Sequence, residues 1–223
     1  MKLTIEKCAE IVGCKEHSYL GDEIFAVLFD KKRREGMFLA FLEVEPDVST
    51  DWFVDIFGAN IASLKSLKQH YTPNAAAKLL GELVNPKVEV LKDGYTAYDP
   101  TAGTGTLLIA KWQQDRIKHL PWDYNPSNYF YRAEDISKKN IPFLLFNFLI
   151  RGMNAIVIQV DTLTRIAEQV YFVVNEKNDS LSFSYLNVMP RTALTEKTFY
   201  IKGWEGTAII HIESPNYFED EEV

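Results

Sequence analysis

Tyr98-Asp99-Pro100-Thr101-Ala102-Gly103-Thr104-Gly105-Thr106-Leu107-Leu108 sets an acid, a run of small turn residues and the start of an apolar segment side by side. Thr96 to Tyr98 are β-prone and Leu107 to Trp112 are helix-compatible, so this loop lies where a strand gives way to a helix. Gly103 and Gly105 let the backbone pass close to a bound ligand. The order D-P-x-A-G-T-G is not the dinucleotide fingerprint G-x-G-x-x-G, and it lacks the Gly-Lys-Thr of a phosphate loop.

Downstream, Tyr129 to Ala133 reads as the next strand, with Glu134 at its end and room for one crossover helix between it and the loop. A helix is expected over residues 137 to 149, and Asp161 closes a further apolar stretch. Open parallel sheets bind ligands at the carboxyl ends of their strands, where Asp99, Glu134 and Asp161 all fall. Each candidate also has a plainer role. Asp-Pro opens turns, Asp161 suits a cap for the turn after it, and Glu134-Asp135 suits the solvated start of a helix. Thr72-Pro73 fits an N-cap followed by proline at the first position of a helix over residues 74 to 85.

The loop and its flanks resemble the motifs of S-adenosylmethionine-dependent methyltransferases, specifically the N6-adenine DNA methyltransferases of the type I restriction-modification (HsdM-like) kind. Gln69-His70-Tyr71-Thr72-Pro73 is similar to that family's Q-x-Y-T-P box, and Arg132-Ala133-Glu134-Asp135-Ile136 to its second motif. Asn147-Phe148-Leu149-Ile150-Arg151-Gly152-Met153 is similar to its N-L-x-x-x-G helix end, and Gln159-Val160-Asp161-Thr162-Leu163 to its G-D-T-L box. The resemblance covers roughly residues 69 to 165. It implies a Rossmann-like α/β methyltransferase fold, truncated, over residues 69 to 223, behind a small helical segment over residues 1 to 68. It further implies S-adenosylmethionine as cofactor. Tyr71, Thr72 and Pro73 would serve its methionine end, Asp99, Thr101, Gly103 and Gly105 the loop that cradles it, Glu134 with Asp135 the ribose hydroxyls, and Asp161 the adenine amino group. The chemistry agrees, because a sulfonium and an α-ammonium call for carboxylate or carbonyl acceptors rather than a phosphate nest. A ribose diol is well held by a carboxylate that accepts both hydroxyl protons.

The catalytic motif departs from the family, which carries N-P-P-Y or N-P-P-F after its fourth strand. An exocyclic adenine nitrogen is a poor nucleophile because its lone pair is delocalised into the ring. The Asn oxygen and a backbone carbonyl accept its protons, and the aromatic ring stacks on the flipped base. Here the strand Val170 to Val174 is followed by Asn175-Glu176-Lys177-Asn178, which keeps only the Asn. Ser214-Pro215-Asn216-Tyr217 keeps an S-P-x-Y outline much later in the chain, while Asn125-Pro126 reads as a loop. The catalytic candidates are thus Ser214, Pro215, Tyr217 and Asn175. The resemblance implies adenine-N6 methylation of DNA in a restriction-modification type system. The degenerate box leaves open a catalytically silent cofactor-binding or assembly subunit.

Composition frames these expectations. The chain has 223 residues, enough for a sizeable α/β core, and 47% hydrophobic content argues against disorder. Its net charge of -7 excludes a global attraction to DNA. Local basic stretches remain, at Lys31-Lys32-Arg33-Arg34 and Lys138-Lys139, each more readily read as a solvated helix or turn face than as a DNA contact. In the resembled family a separate specificity subunit reads most of the target, so DNA is expected as a partner through a complex. No apolar run approaches the ~20 residues of a membrane span, and residues 1 to 7 lack a secretory apolar stretch, so a cytoplasmic location is expected. Cys8 and Cys14 match no metal-ligand pattern and read as buried thiols on an amphipathic helix.

Elsewhere, residues 3 to 13 show near-helical apolar spacing, with further apolar stretches at Asp22 to Phe29 and Arg34 to Leu42. Another helix is expected from Trp52 to Lys68, with Phe53, Ile56, Phe57 and Ile61 on one face. Phe199 to Lys202 and Thr207 to Ile212, separated by Gly203-Trp204-Glu205-Gly206, read as a hairpin.

Overall fold

The computed structural model of the chain describes residues 3–58, 72–83, 96–120 and 122–218. Its amino-terminal part is helical: α1 (Ile5–Val12), α2 (Leu20–Leu28), α3 (Lys31–Val44) and α4 (Trp52–Gly58). Thr4 opens α1 by accepting the Lys7 amide, and Gly13 closes it at φ 79°, in the left-handed conformation that glycine adopts without penalty. Asp30 caps α3 in the same way, through the Arg33 amide. Helix α5 (Asn74–Leu83) follows.

Strand and helix then alternate through β1 (Thr96–Asp99), α6 (Thr106–Arg116), β2 (Phe130–Asp135), α7 (Ile141–Ile150) and β3 (Ala155–Val160). The chain continues with β4 (Ile166–Val174), β5 (Tyr185–Val188), α8 (Ala193–Phe199) and the short β6 (Gly203–Trp204). The sheet order is β1-β2-β3-β4-β5, with β6 beside β4. β1, β2 and β3 are parallel, β4 and β5 antiparallel, and β6 parallel to β4. The result is a mixed α/β fold with a mostly parallel central sheet, compatible with a methyltransferase-like fold.

Alternation along the strands divides the apolar side chains between two faces. Tyr131, Ala133, Ala155, Val157, Tyr171 and Val173 join the large core, shared with α6, α7 and the amino-terminal helices. Ile156, Ile158, Val160, Ala167 and Val170 form a smaller core with Ile201, Phe199 and Trp204. Every residue of α7 is buried, because α2 packs on one side of it and the sheet lies on the other.

Several expectations need correction. The helix expected from residue 137 begins at Ile141, because Ser137 and Asn140 fold into a turn around Asp135, and Pro142 occupies the first helical turn, where no amide is required. Glu134 and Asp135 are buried rather than solvated. The hairpin is absent: Thr192 caps a helix that runs through Phe199, Tyr200 ends it at φ 58°, and residues 207–212 form no strand. Arg34 is neither a DNA contact nor a solvated charge. It lies buried, donating to Glu213 at 2.7 Å through each of two nitrogens. Cys8 is buried as expected, and Cys14 lies just past the end of α1. Of the helix expected from Trp52, Phe53 and Ile56 are buried, and residues 59–68 lie outside the described residues. The boundary expected at residue 68 also lies there.

Candidate functional site

The carboxyl ends of β1, β2 and β3 come together at one edge of the molecule, as parallel register requires. β1 ends at Asp99, whose Oδ1 accepts the Thr101 amide at 3.0 Å and turns the chain. The loop then doubles back over β2: the Ala102 amide donates to the Glu134 carbonyl at 2.9 Å, and the Gly103 amide to Asp135 Oδ2 at 2.8 Å. Gly103 and Gly105 take φ of 59° and 95°. At Gly105 a Cβ would stand 2.8 Å from Leu144 Cδ1 and 2.9 Å from Phe148 Cε1, so the residue is fixed both by its backbone and by the closeness of α7.

Asp135 is the hub of the loop. Besides the Gly103 amide it accepts the Ser137 amide at 2.7 Å and Asn140 Nδ2 at 3.2 Å, both through Oδ1. Burial pushes its carboxyl above the ordinary aspartate range against those hydrogen bonds. Burial also raises Asp99, and the nearby Asp135 charge raises it further. Asp161 lies across from them, its Oδ1 accepting the Leu163 amide at 2.9 Å and the Thr164 amide at 3.4 Å; these bonds hold its carboxyl low.

Between these strand ends lies a cleft of about 280 Å³. Pro100, Thr101 and Gly103 line it from the loop, Asp135, Ile136, Ser137 and Asn140 from the segment after β2, and Val160, Asp161, Thr162 and Leu163 from the turn after β3. Among the described residues, no lysine, arginine or histidine lines it.

Thr101, Gly103, Asp135 and Asp161 thus share one cleft, with Asp99 and Gly105 shaping its loop. Glu134 does not line it. One residue back along β2, it points to the opposite face, where Arg132 contacts it at 2.6 Å and Arg165 at 2.5 Å. Burial alone would raise Glu134, but the hydrogen bonds of the two arginines outweigh it and hold the carboxyl low. Thr72 and Pro73 precede α5, with the Pro73 carbonyl accepting the Ala77 amide, and Tyr71 lies outside the described residues.

The catalytic candidates fall elsewhere. β4 runs antiparallel to β3, so Asn175 follows its end beside Asn154, six residues of β3 or about 20 Å from the cleft. Its Nδ2 donates to the carbonyls of Gly152 and Asp179, and its amide to Asn154 Oδ1. Ser214 is buried against β5, its amide donating to Asn187 Oδ1 at 2.9 Å. Pro215 opens a short turn, and Tyr217 lies edge-on to Phe172, near Glu176 and Lys177. An Asn after a β-strand leaves strand direction undetermined, and direction is what removes Asn175 from the cleft; the S-P-x-Y segment follows no strand and packs on Asn187 and Phe172.

The N-6 DNA Methylase family profile matches residues 49–181, more than half of the chain. The chain belongs to that family. Membership of the N-6 DNA methylases implies a DNA adenine methyltransferase-like function, and members of the family use S-adenosylmethionine. No curated protein and no solved structure matches this N-6 DNA methylase chain. No described helix is long and apolar enough to cross a membrane.

The sequence also concealed supports of the site. Asp51, Thr104, Thr106 and Asn147 form a hydrogen-bonded cluster beneath the glycine loop. The only sequence signal for Asp51 is that of a helix cap before Trp52, a role it fills by accepting the Phe53 amide.

Proposed function

We propose that this N-6 DNA methylase binds S-adenosylmethionine in the cleft at the ends of β1, β2 and β3 and serves adenine-N6 methylation of DNA in a restriction-modification type system. The observation that carries this reading is the charge of the cleft. Asp135 and Asp161 line it, Asp99 stands behind its loop, and no described basic side chain does. Such a cleft repels phosphate and favours a cation. Burial raises the proton affinity of Asp99 and Asp135, so a sulfonium or ammonium nearby relieves a cost that the free protein carries.

S-adenosylmethionine supplies a methyl group activated by its sulfonium. Asp99 and the loop of Thr101, Gly103 and Gly105 hold its charged end, with Thr72 and Pro73 of the preceding box. Asp135, rather than Glu134, is the acid for the ribose hydroxyls, because it lines the cleft while the Glu134 oxygens are engaged by arginines. Asp161 serves the adenine amino group, and the exposed apolar side chains of Ile136 and Leu163 suit the faces of its ring. The layout is a Rossmann-like one, and a cytoplasmic setting with a specificity subunit as partner fits an acidic chain that has no global attraction to DNA.

A second reading, a silent cofactor-binding or assembly subunit, rests on the distance of Asn175 and of Ser214, Pro215 and Tyr217 from the cleft. Incorporation of labelled methyl into DNA, measured with and without a candidate specificity subunit, separates the two. Binding of the cofactor without incorporation in either case supports the second.

A further inference from the structure

Asp51 stands just before α4 with no exposed surface, and its side chain bonds to the glycine loop, to α7 and to the first turn of α4. Oδ2 accepts the hydroxyls of Thr104 at 2.5 Å and Thr106 at 2.7 Å, the residues on either side of Gly105. Oδ1 accepts Asn147 Nδ2 of α7 and the Phe53 amide, each at 3.0 Å. The Asp51 backbone is paired in both directions with the side chain of Asn74, the first residue of α5. Its amide donates to Asn74 Oδ1 at 3.3 Å, and its carbonyl accepts Asn74 Nδ2 at 3.0 Å. Asn74 directly follows Thr72-Pro73, so one residue joins the threonine-proline box to the glycine loop.

The support is itself fixed. Asn147 Nδ2 also donates to the Thr104 carbonyl at 2.8 Å, and Arg151 donates to Asn147 Oδ1 at 2.8 Å, to the Thr50 carbonyl at 2.6 Å and to the Val48 carbonyl at 2.9 Å. Four donors converge on the Asp51 carboxylate; an amide in its place would put an N–H group where one oxygen accepts, so that either the Thr104 and Thr106 hydroxyls must turn and accept or the Phe53 and Asn147 N–H groups lose their acceptor. A buried carboxylate costs several kcal/mol unless it is satisfied. Its bonds here go to a loop with two left-handed glycines, which has little preference for one shape without them.

We propose that Asp51 is the positioning residue of the cofactor site: it sets the threonine-proline box and the glycine loop at a fixed separation and orientation, so that both meet one ligand. The inference rests on the cofactor reading above and goes beyond it in assigning a residue outside every motif.

The test uses the full chain with Thr104→Val, Thr104→Ser and Asp51→Asn. S-adenosylmethionine affinity is read by calorimetry well below the melting temperature, and amide hydrogen exchange is read separately over the loop and over β3 and β4. The expected result is about a tenfold loss of affinity in Thr104→Val, the scale of one hydrogen bond to a charged group. Affinity should return in Thr104→Ser, which keeps the hydroxyl. Exchange should quicken at Gly103 to Thr106 while β3 and β4 stay protected, and Asp51→Asn should move both readouts the same way. Unchanged affinity and loop exchange in both Asp51→Asn and Thr104→Val overturn the proposal, as does a loss that tracks general unfolding across β3 and β4. If the wild-type chain binds no S-adenosylmethionine, it is the cofactor reading that fails. Loop exchange then decides alone: quickening in Thr104→Val with rescue by Thr104→Ser supports Asp51 as the loop's anchor, and no change overturns it.

Discussion

Arg165 grips Glu134 end-on, with Nη1 2.5 Å from Oε2 and Nη2 3.1 Å from Oε1. Arg165 sits at φ 64° at the end of the turn that Asp161 opens, and its amide donates to the Asp161 carbonyl at 2.7 Å. The ion pair therefore braces the turn that forms one wall of the cleft. Glu134→Ala leaves Arg132 and Arg165 facing one another without their shared anion. A loss of about 3 kcal/mol in urea unfolding is expected, the scale for breaking a buried pair. The more conservative Glu134→Gln should spare cofactor affinity more than Asp135→Asn does.

Stability should fall in acid through Glu134 and Glu213. Both are pushed up by burial and pulled down further by arginine hydrogen bonds, to a net value below the ordinary 4.5. The unfolded chain takes up these protons first as pH falls, so their contribution is complete above about pH 4.5 and is lost as pH drops through the lowered values. Asp99 and Asp135 act in the opposite sense: raised above 3.8, they favour the folded state when protonated, and that contribution is lost as pH rises through their raised values. Urea midpoints measured below about pH 4.5 should decline in the wild type as pH falls, and less steeply in Glu213→Gln.

Asp99→Ala should weaken S-adenosylmethionine binding about tenfold or more, since it removes a charge beside the cation and the acceptor that turns the loop at Thr101. Affinity in the wild type should also decrease as pH is lowered into the range where Asp99 and Asp135 take up protons. Calorimetric titration reads both effects, and equal affinity in Asp99→Ala counts against the placement of the cofactor.

Gly105→Ala should be among the more damaging single-methyl changes in the chain. The left-handed backbone costs about 1 kcal/mol for alanine, and the new Cβ falls within 3 Å of two α7 side chains that are themselves buried. Thermal unfolding should show a lowered midpoint, with cofactor affinity reduced even at temperatures where the variant is folded.

Tyr217→Ala should leave cofactor affinity unchanged, because its ring lies against Phe172 rather than by the cleft. Asn175→Ala should lower stability by about 1–3 kcal/mol through the buried groups it leaves unpaired, again without changing affinity. A weakened affinity in either stable variant would show that the two ends of the sheet are coupled.

What the sequence conveyed well was local. The D-P-x-A-G-T-G turn, the strand before it and the helix after it follow from glycine conformation and apolar periodicity, and Thr101, Gly103, Asp135 and Asp161 do meet in one cleft. What it did not convey was relative direction. Adjacent Glu134 and Asp135 point to opposite faces of β2, and only the positions of Arg132 and Arg165 show which acid is neutralised. The apolar run Val170 to Val174 predicts a strand, and β4 contains it, but nothing in those residues says that β4 runs antiparallel and carries Asn175 away from the cleft. The sequence gives Asp51 no signal beyond that of a helix cap, because its partners Thr104, Thr106 and Asn147 lie 53, 55 and 96 positions along the chain.

The pairing of Arg34 with Glu213 joins positions 179 apart. During synthesis the amino-terminal helices emerge long before Glu213, and until then the Arg34 guanidinium lacks its native carboxylate partner. That helical layer therefore encloses its charge only once the segment that carries Glu213 has packed against it. Closing a loop of that length costs more chain entropy than the shorter closures that build the glycine loop, by a margin that grows only slowly with length.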